Sequence, residues 1–436
     1  MKKTTIIAIF SLISATMLRA QTDVNSQFTI HNSQLSGDTL QSNSPLSMWR
    51  GAGGEALSTR LDSLIKNSTL LETSQLGLMV WDLTADSALY AYNHRQRMRP
   101  ASTMKLLTAI TALDLYGGNH PFTTEIRYEG RLSGRTFTGN IVCVGGMDPA
   151  FNSGDMHYVV DRIREIGIDT ICGRIVADKS MKDTLTLGQG WCWDDDNPCL
   201  SALLIDRKDR FADRLAKELR DVGVVFMDEG EWTKEDSSPI TQQPSPNSHH
   251  PSPNLQPSTF NLQHSFDQIL SRMMKQSDNL YAEAVFYHAA LATSRPATQK
   301  NARAAVRQLI QKLGYDASQY TVADGSGLSL YNYLSPELLT AFLRYAWRNE
   351  RIFLHLEPSL PVAGVDGTLK DRMKKSAAYR NVRAKTGTVT GISSLAGYAT
   401  APNGHRLAFA IINQGVLKGK EGRDFQDAVC TLLCNP

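Results

Sequence analysis

Ser102 and Lys105 together could form an activated nucleophile. They lie three residues apart in the run Pro100-Ala-Ser-Thr-Met-Lys105, and apolar residues follow at helical spacing as far as Leu113. Pro100 suits the residue before a first helical turn, so we expect Ser102 at or near a helix N-terminus. Because residues three apart share a helix face, the Lys105 amine should lie beside the Ser102 hydroxyl. A lysine can take the serine proton only if burial or nearby cations keep it neutral.

The Ser-x-x-Lys spacing alone is a weak signal, because a second pair has it. Ser63 and Lys66 lie inside an amphipathic run, residues 57–71, which we interpret as an ordinary surface helix with Lys66 in solvent. Two later motifs distinguish Ser102 from Ser63. Ser277-Asp278-Asn279 is expected at a break between two helices, and Lys385-Thr386-Gly387 at the start of a strand or on it.

In this order, the three motifs are the signature of serine penicillin-binding proteins and β-lactamases. The chain resembles, more closely, the D-alanyl-D-alanine carboxypeptidase/endopeptidase family typified by penicillin-binding protein 4. The resemblance implies acyl transfer, in which Ser102 attacks the carbonyl of a penultimate D-alanine and Lys105 accepts its proton. Ser277 and Lys385 would pass a proton to the departing amine. Asn279 would hold a substrate carbonyl and support Lys105.

The resemblance also assigns substrate-binding roles around the third motif. Backbone N–H groups of Ser102 and Thr388 would hold the oxyanion, with Gly387 beside them. Thr386, with the charge of Lys385 behind it, suits the terminal carboxylate of a D-Ala-D-Ala stem peptide. We expect each of the two motif lysines to disfavour charge on the other, which would help keep Lys105 neutral.

The predicted fold is α+β. It is a β-lactamase/transpeptidase-like domain, an antiparallel sheet with helices on both faces, interrupted by an α+β insertion domain. Strands are expected over residues 77–82, 88–93, 170–177, 393–400 and 406–413. The predicted divisions are a signal peptide (1–20), a flexible segment (21–47), the transpeptidase-like domain (48–118 and 264–436), the insertion (119–236) and a low-complexity loop (237–263).

The insertion carries one further candidate site residue. A predicted hairpin, 125–130 with 136–144, leads into Gly145-Gly-Met-Asp-Pro149, a run typical of a sharp, exposed loop. Asp148 in this loop either caps the turn or lies at the cleft edge. In the second case it would pair with the ammonium group of a stem-peptide diamino acid.

The N-terminus is typical of a secretory signal. Lys2 and Lys3 precede an apolar stretch that is too short to span a membrane, and cleavage is expected after Ala20. Lys2, Lys3 and Arg19 account for the whole formal charge of +3, so the remaining chain offers no electrostatic reason to bind nucleic acid. We expect an exported protein of the periplasm or cell envelope, without a transmembrane anchor in the mature chain.

The six cysteines are compatible with disulfides in an exported protein, and the local candidates are Cys192 with Cys199 and Cys430 with Cys434. Free or buried thiols are the alternative. The sequence has neither Cys-x-x-Cys nor His-Glu-x-x-His, so no metal or other cofactor is predicted.

Two other functions remain open at this point. One is a serine β-lactamase, but the sequence around residues 313–324 lacks the deacylating Glu-x-x-x-Asn, so β-lactams should be covalent inhibitors. The other is a catalytically weak cell-wall-binding protein, for which the intact motifs give no support. The expected substrates are peptidoglycan stem peptides, and the sequence favours neither carboxypeptidase nor endopeptidase cleavage as the dominant activity.

Overall fold

The computed structural model describes residues 56–193, 196–227, 257–293 and 295–435. The predicted signal peptide (1–20), the segment 21–47 and most of the loop 237–263 lie outside these residues. The helices of the described residues, in chain order, are α1 Leu57–Lys66, α2 Met104–Tyr116, α3 Ser153–Glu165, α4 Phe211–Asp221, α5 Phe266–Lys275, α6 Asn279–Leu291, α7 Gln299–Lys312, α8 Pro336–Arg348, α9 Glu350–Ser359 and α10 Gly419–Cys434. None of these helices is both long enough and apolar enough to cross a membrane.

The strands fall into two sheets. They are β1 Gln75–Asp82, β2 Ser87–Tyr92, β3 Pro121–Ser133, β4 Thr136–Gly145, β5 Thr170–Cys172, β6 Ile175–Asp178, β7 Val225–Met227, β8 Phe260–Ser265, β9 Arg383–Val389, β10 Gly391–Thr400 and β11 Arg406–Val416. The first sheet has the order β2-β1-β11-β10-β9, and every neighbouring pair in it is antiparallel. The chain therefore returns from its C-terminal third to place β11 beside β1.

Helices cover both faces of this antiparallel sheet. Successive side chains of a strand point to opposite faces. On one face, Gln426 of α10 donates to Ser393 Oγ of β10 at 3.0 Å. On the other, Tyr398 of the same strand donates to the Leu343 carbonyl of α8 at 2.8 Å. The predicted transpeptidase-like architecture is confirmed.

The second sheet belongs to the insertion. Its order is β7-β5-β4-β3-β8, with β6 also paired to β4, and the β3–β4 hairpin matches the predicted one. This sheet and helices α3 and α4 enclose a hydrophobic core separate from the main one, which includes Phe137, Ile163 and Phe211. Two separate cores support the predicted insertion, although the exact domain boundaries stay a prediction.

Two expectations about elements need correction, and one helix was missed. Residues 260–263, assigned to the low-complexity loop, belong to β8, which pairs antiparallel with β3 and extends the insertion sheet. The single strand expected over 170–177 is two strands, because the chain turns at Gly173, where the backbone lies against the Gly139 carbonyl and leaves no room for a Cβ. Helix α9 was not predicted.

No cysteine forms a disulfide, and all six are described. Cys430 and Cys434 lie four apart on α10, and that separation on a helix exceeds the Cβ–Cβ distance that a disulfide can bridge. Burial raises the pKa of the Cys434 thiol to about 12, which makes it a packing group and not a reactive one.

A histidine pair, of which His288 is buried and His120 is half-buried, joins the main domain to the insertion. His288 Nε2 on α6 donates to the Gly146 carbonyl at 2.7 Å, so its Nδ1 accepts from His120 Nε2 at 2.8 Å. The ring of Tyr116, the last residue of α2, stacks on His120. Burial, with a smaller effect of His120, lowers the pKa of His288 to about 3. The folded protein therefore holds His288 neutral.

We predict that this pair makes the protein less stable in acid. His288 stays neutral in the folded state but takes a proton in the unfolded state below its ordinary pKa of 6.5. The contribution of neutral His288 to the free energy of unfolding is therefore fully present above pH 6.5. It is lost as the pH falls from 6.5 towards 3, by about 1.4 kcal/mol per pH unit. Urea unfolding across this pH range should show that the free energy of unfolding depends less steeply on pH for His288→Asn than for the wild type. The exposed-site control His157→Asn should keep the wild-type slope, and parallel curves for all three proteins would contradict the prediction.

Candidate active site

The structure brings the three motifs together. Ser102 lies in the one-turn 3-10 helix Ala101–Thr103 that leads directly into α2. The Lys105 Nζ lies 3.0 Å from Ser102 Oγ and 2.8 Å from Asn279 Oδ1, and Lys385 Nζ lies 2.8 Å from Ser277 Oγ. The arrangement expected from sequence is therefore present. Its side chains come from the 3-10 turn and α2, from α6 and the turn before it, and from β9.

The turn that carries Ser102 is held in an uncommon backbone conformation. Ala101 has a φ of +47°, in the left-handed region that L-residues seldom adopt. Its carbonyl packs against Gly327 so closely that a Cβ there would have no room. The preceding Pro100 carbonyl accepts hydrogen bonds from Thr103 Oγ1 and Ser394 Oγ, both at 2.6 Å. Contacts from two other parts of the chain therefore fix the direction of the Ser102 backbone.

Lys105 is fully buried and has three oxygen acceptors. Besides Ser102 Oγ and Asn279 Oδ1, its amine donates to the Ser326 carbonyl at 2.7 Å. An ammonium satisfies all three acceptors. A neutral amine can still donate to Asn279 and Ser326, and it then presents its lone pair to the Ser102 hydroxyl.

The cause of the lowered Lys105 pKa differs from the one expected. Burial lowers it to about 8, against the opposing charges of Asp324, Glu283 and Asp278. Repulsion between the two lysines acts instead on Lys385, whose pKa is held well below its ordinary value by burial first and by Lys105 second. Burial, more than the second cation, brings Lys105 towards the neutral form.

The second motif is a helix cap anchored by two arginines. Ser277 has a φ of +58°, and Asp278 Oδ1 accepts from Leu280 N at 3.1 Å at the start of α6. The Asp278 Oδ2 accepts from Arg207 of the insertion at 2.6 Å and from Arg272 of α5 at 3.0 Å. Although burial acts in the opposite direction, these two guanidiniums hold the pKa of Asp278 below its usual range.

The third motif runs beside Ser102. Lys385 and Gly387 are buried in β9, whereas Thr388 is exposed and the Thr386 hydroxyl reaches Thr368 Oγ1 at 2.8 Å. A Cβ on Gly387 would lie 2.9 Å from the Ser102 backbone nitrogen. Only a residue without a side chain lets this strand approach so closely.

Two buried carboxyls near Lys105 were not predicted. Glu283 follows Asn279 by one helical turn on α6, and this i, i+4 spacing could have revealed it. Asp324 lies in the segment between α7 and α8. It is a buried hub that accepts from the Trp191 indole at 2.8 Å, Ser329 N at 2.7 Å and Asn332 Nδ2 at 2.7 Å.

Asp148 does not lie in an exposed loop as expected. Its side chain is 1% exposed, and its Oδ2 accepts from His264 Nδ1 of β8 at 2.7 Å. Its Oδ1 caps the turn by accepting from Ala150 N at 3.0 Å, which matches the alternative interpretation. The loop packs tightly because Gly146 lies against the backbone of Thr123. The carboxylate is therefore already paired and does not line the cleft edge.

The described residues contain no group of three or more His, Cys, Asp or Glu side chains that could hold a metal ion.

Comparison with known proteins identifies the family. The model of the D-Ala-D-Ala carboxypeptidase 3 (S13) family matches residues 57–224 and 259–435. The chain belongs to the S13 family. It is 25% identical to the D-alanyl-D-alanine carboxypeptidase DacB of Haemophilus influenzae, over 80% of this chain and 87% of that protein. It is 27% identical to the D-alanyl-D-alanine carboxypeptidase of an Actinomadura species, over 88% of this chain and 85% of that protein.

The fold agrees with this S13 assignment. A crystal structure of penicillin binding protein 4 from H. influenzae matches with a TM-score of 0.73 and 22% identity, and covers 86% of this chain and 99% of that chain. The family resemblance and the fold class drawn from the sequence are confirmed.

We predict that Gly387→Ala impairs acylation without unfolding the protein. The added methyl group would clash with Ser394 Oγ and would meet the Pro100 carbonyl at 2.8 Å and the Ser102 nitrogen at 2.9 Å, so strand β9 must move relative to the turn that carries Ser102. Misplacing a reacting group by about 1 Å can cost on the order of 10²-fold in rate. The rate of benzylpenicillin acylation measures the effect. Gly419→Ala is the matched control, because a Cβ there meets only the end of the Arg423 side chain, at 3.3 Å. Equal rates for both variants would contradict the prediction.

Proposed function

We propose that this S13 protein is a serine D-Ala-D-Ala carboxypeptidase that acts through an acyl-enzyme on Ser102. The observation that carries the proposal is the fully buried Lys105 amine 3.0 Å from the Ser102 hydroxyl oxygen. As Ser102 Oγ attacks the carbonyl carbon of the penultimate D-alanine, its proton moves to Lys105 Nζ. Water later hydrolyses the ester and frees Ser102.

The second half of acylation needs a proton for the departing D-alanine amine. Ser277 and Lys385 form a hydrogen-bonded pair, and we assign them this transfer. Asn279 binds Lys105 through its carbonyl oxygen, so its amide N–H groups are assigned to a substrate carbonyl.

Strand β9 is assigned the oxyanion and the substrate carboxylate. Gly387 brings the strand against the Ser102 nitrogen, which supports an oxyanion hole formed by the N–H groups of Ser102 and Thr388. The Thr386 hydroxyl, beside Thr368 and backed by Lys385, suits the terminal carboxylate of the stem peptide.

The proposed substrates are peptidoglycan stem peptides, including the D-Ala–diamino acid bonds of cross-links, which would make the protein an endopeptidase as well. β-Lactams are proposed to acylate Ser102 and inhibit the enzyme; a second crystal structure of the H. influenzae protein is complexed with a β-lactam. We also propose that residues 1–20 direct export to the periplasm or cell envelope, where these substrates are found.

We predict that Ser102 is the acylated residue. Mass spectrometry after incubation with benzylpenicillin should show one covalent adduct, on the peptide containing Ser102. Ser102→Ala should abolish the adduct and cleavage of D-Ala-D-Ala peptides. Ser63→Ala, the control with the same spacing to a lysine on the surface helix α1, should label as the wild type does. An adduct on the Ser102→Ala protein would refute the assignment.

We predict that Lys105 is the base for acylation. Lys105→Arg keeps a cation in place but cannot give up a proton, because arginine stays protonated in proteins. The acylation rate should fall by roughly 10²–10⁴-fold, the usual contribution of a general base. Stopped-flow acylation gives the rate, and thermal unfolding checks the fold. A folded variant with near-normal acylation would mean that another group is the base.

A further inference from the structure

Glu283 is a buried carboxyl that none of the proposed chemical steps uses. It is 1% exposed, and its Oε1 accepts from the backbone N–H groups of Gly325 at 3.1 Å and Ser326 at 2.8 Å. The carbonyl of Ser326 is in turn an acceptor for Lys105 Nζ. A single residue, Ser326, therefore connects Glu283 to the proposed base through its N–H and its carbonyl.

The segment from Asp324 to Gly327 runs between α2 and α6 and is held from both. From α2, Thr108 Oγ1 donates to the Gly325 carbonyl at 2.7 Å. From α6, Glu283 binds the N–H groups, while Asp324 fixes the segment from within by accepting from Gly327 N at 2.8 Å. Removing Glu283 would leave two buried N–H groups unpaired, next to the carbonyl that orients Lys105.

We propose that Glu283 is a positioning residue for acylation: its carboxyl holds the Gly325–Ser326 backbone that orients the Lys105 amine, and its charge sets the pH range in which Lys105 can accept the Ser102 proton. The proposal rests on acylation of Ser102, and it adds a residue that does not touch the substrate.

The charges around the pair support this role. Burial first, and then the charge of Asp324, raise the pKa of Glu283 to about 8, the same region to which burial lowers that of Lys105. The charged groups that face Lys105 are Glu283, Asp324, Asp278 and Lys385, and Tyr287 lies one turn beyond Glu283 on α6. An ionised Glu283 favours the Lys105 ammonium, so neutralising it should favour the free amine.

The test compares pH profiles of benzylpenicillin acylation. Glu283→Gln keeps an oxygen acceptor for both N–H groups but loses the charge. Its acid limb should move to lower pH by roughly one unit or more, with the maximal rate within a few-fold of wild type. Glu283→Ala should lose at least tenfold in maximal rate, because nothing holds the backbone. Glu218→Gln removes a buried carboxylate of the insertion and should keep the wild-type profile. A wild-type profile for Glu283→Gln would overturn the proposed electrostatic role, and a wild-type rate for Glu283→Ala would overturn the positioning role.

A second measurement applies even if the variants do not fold. Infrared titration of the wild-type protein carrying ¹³C-labelled glutamate should show a buried, protonated glutamic acid carbonyl band that disappears as the pH rises through about 8. Absence of such a band would overturn the charge-setting role, and this measurement does not depend on acylation of the protein. Failure of the wild type to form a penicillin adduct would instead refute the proposed function, so the two failures are distinguishable.

Discussion

A lysine with no access to water imposes a strict requirement on its surroundings. Its ammonium needs three acceptors, and its neutral form needs two acceptors and one donor. Lys105 meets both requirements, because Asn279 and Ser326 supply carbonyl oxygens and Ser102 supplies a hydroxyl that can donate as well as accept. These three partners come from α6, the segment after Asp324 and the turn before α2. The packing of α2 against α6 therefore decides whether the Lys105 amine can be buried with all its partners in place.

Strain in the backbone is the second requirement of the site. Ala101 and Ser277 both have left-handed φ values, although neither is glycine, and each directly precedes a motif residue or is one. Such conformations cost on the order of 1–3 kcal/mol each and persist only where packing over-determines them. Around Ala101 the packing comes from Gly327 and from hydrogen bonds to Pro100. At Gly387, the absence of a side chain lets β9 pack directly against the backbone of Pro100 and Ser102.

The insertion has its own hydrophobic core, yet it also reaches the site. Arg207 pairs with Asp278, which caps the helix that begins with Asn279. Trp191 donates to Asp324, which organises the segment that contacts Lys105. The insertion thus contacts Asp278 and Asp324, two residues that hold the site in place. By contrast, Asp148, the insertion residue that the sequence offered as a candidate site residue, is buried against His264. This connection makes the insertion part of the framework that positions the motif residues.

The sequence by itself determined the three motifs and most of the elements, because strand alternation, helical spacing and turn residues are local properties. From it followed the antiparallel sheet, the hairpin of the insertion, and Ser102 beside Lys105 at the start of a helix. The tertiary structure alone decided the rest. It brought β8 into the insertion sheet, buried Asp148, and placed Glu283 behind Ser326. It also made burial the main cause of the lowered Lys105 pKa. These outcomes depend on contacts between residues far apart in the chain. Helical spacing places Glu283 on the same face of α6 as Asn279, but no local pattern encodes the burial of such a group or its backbone partners.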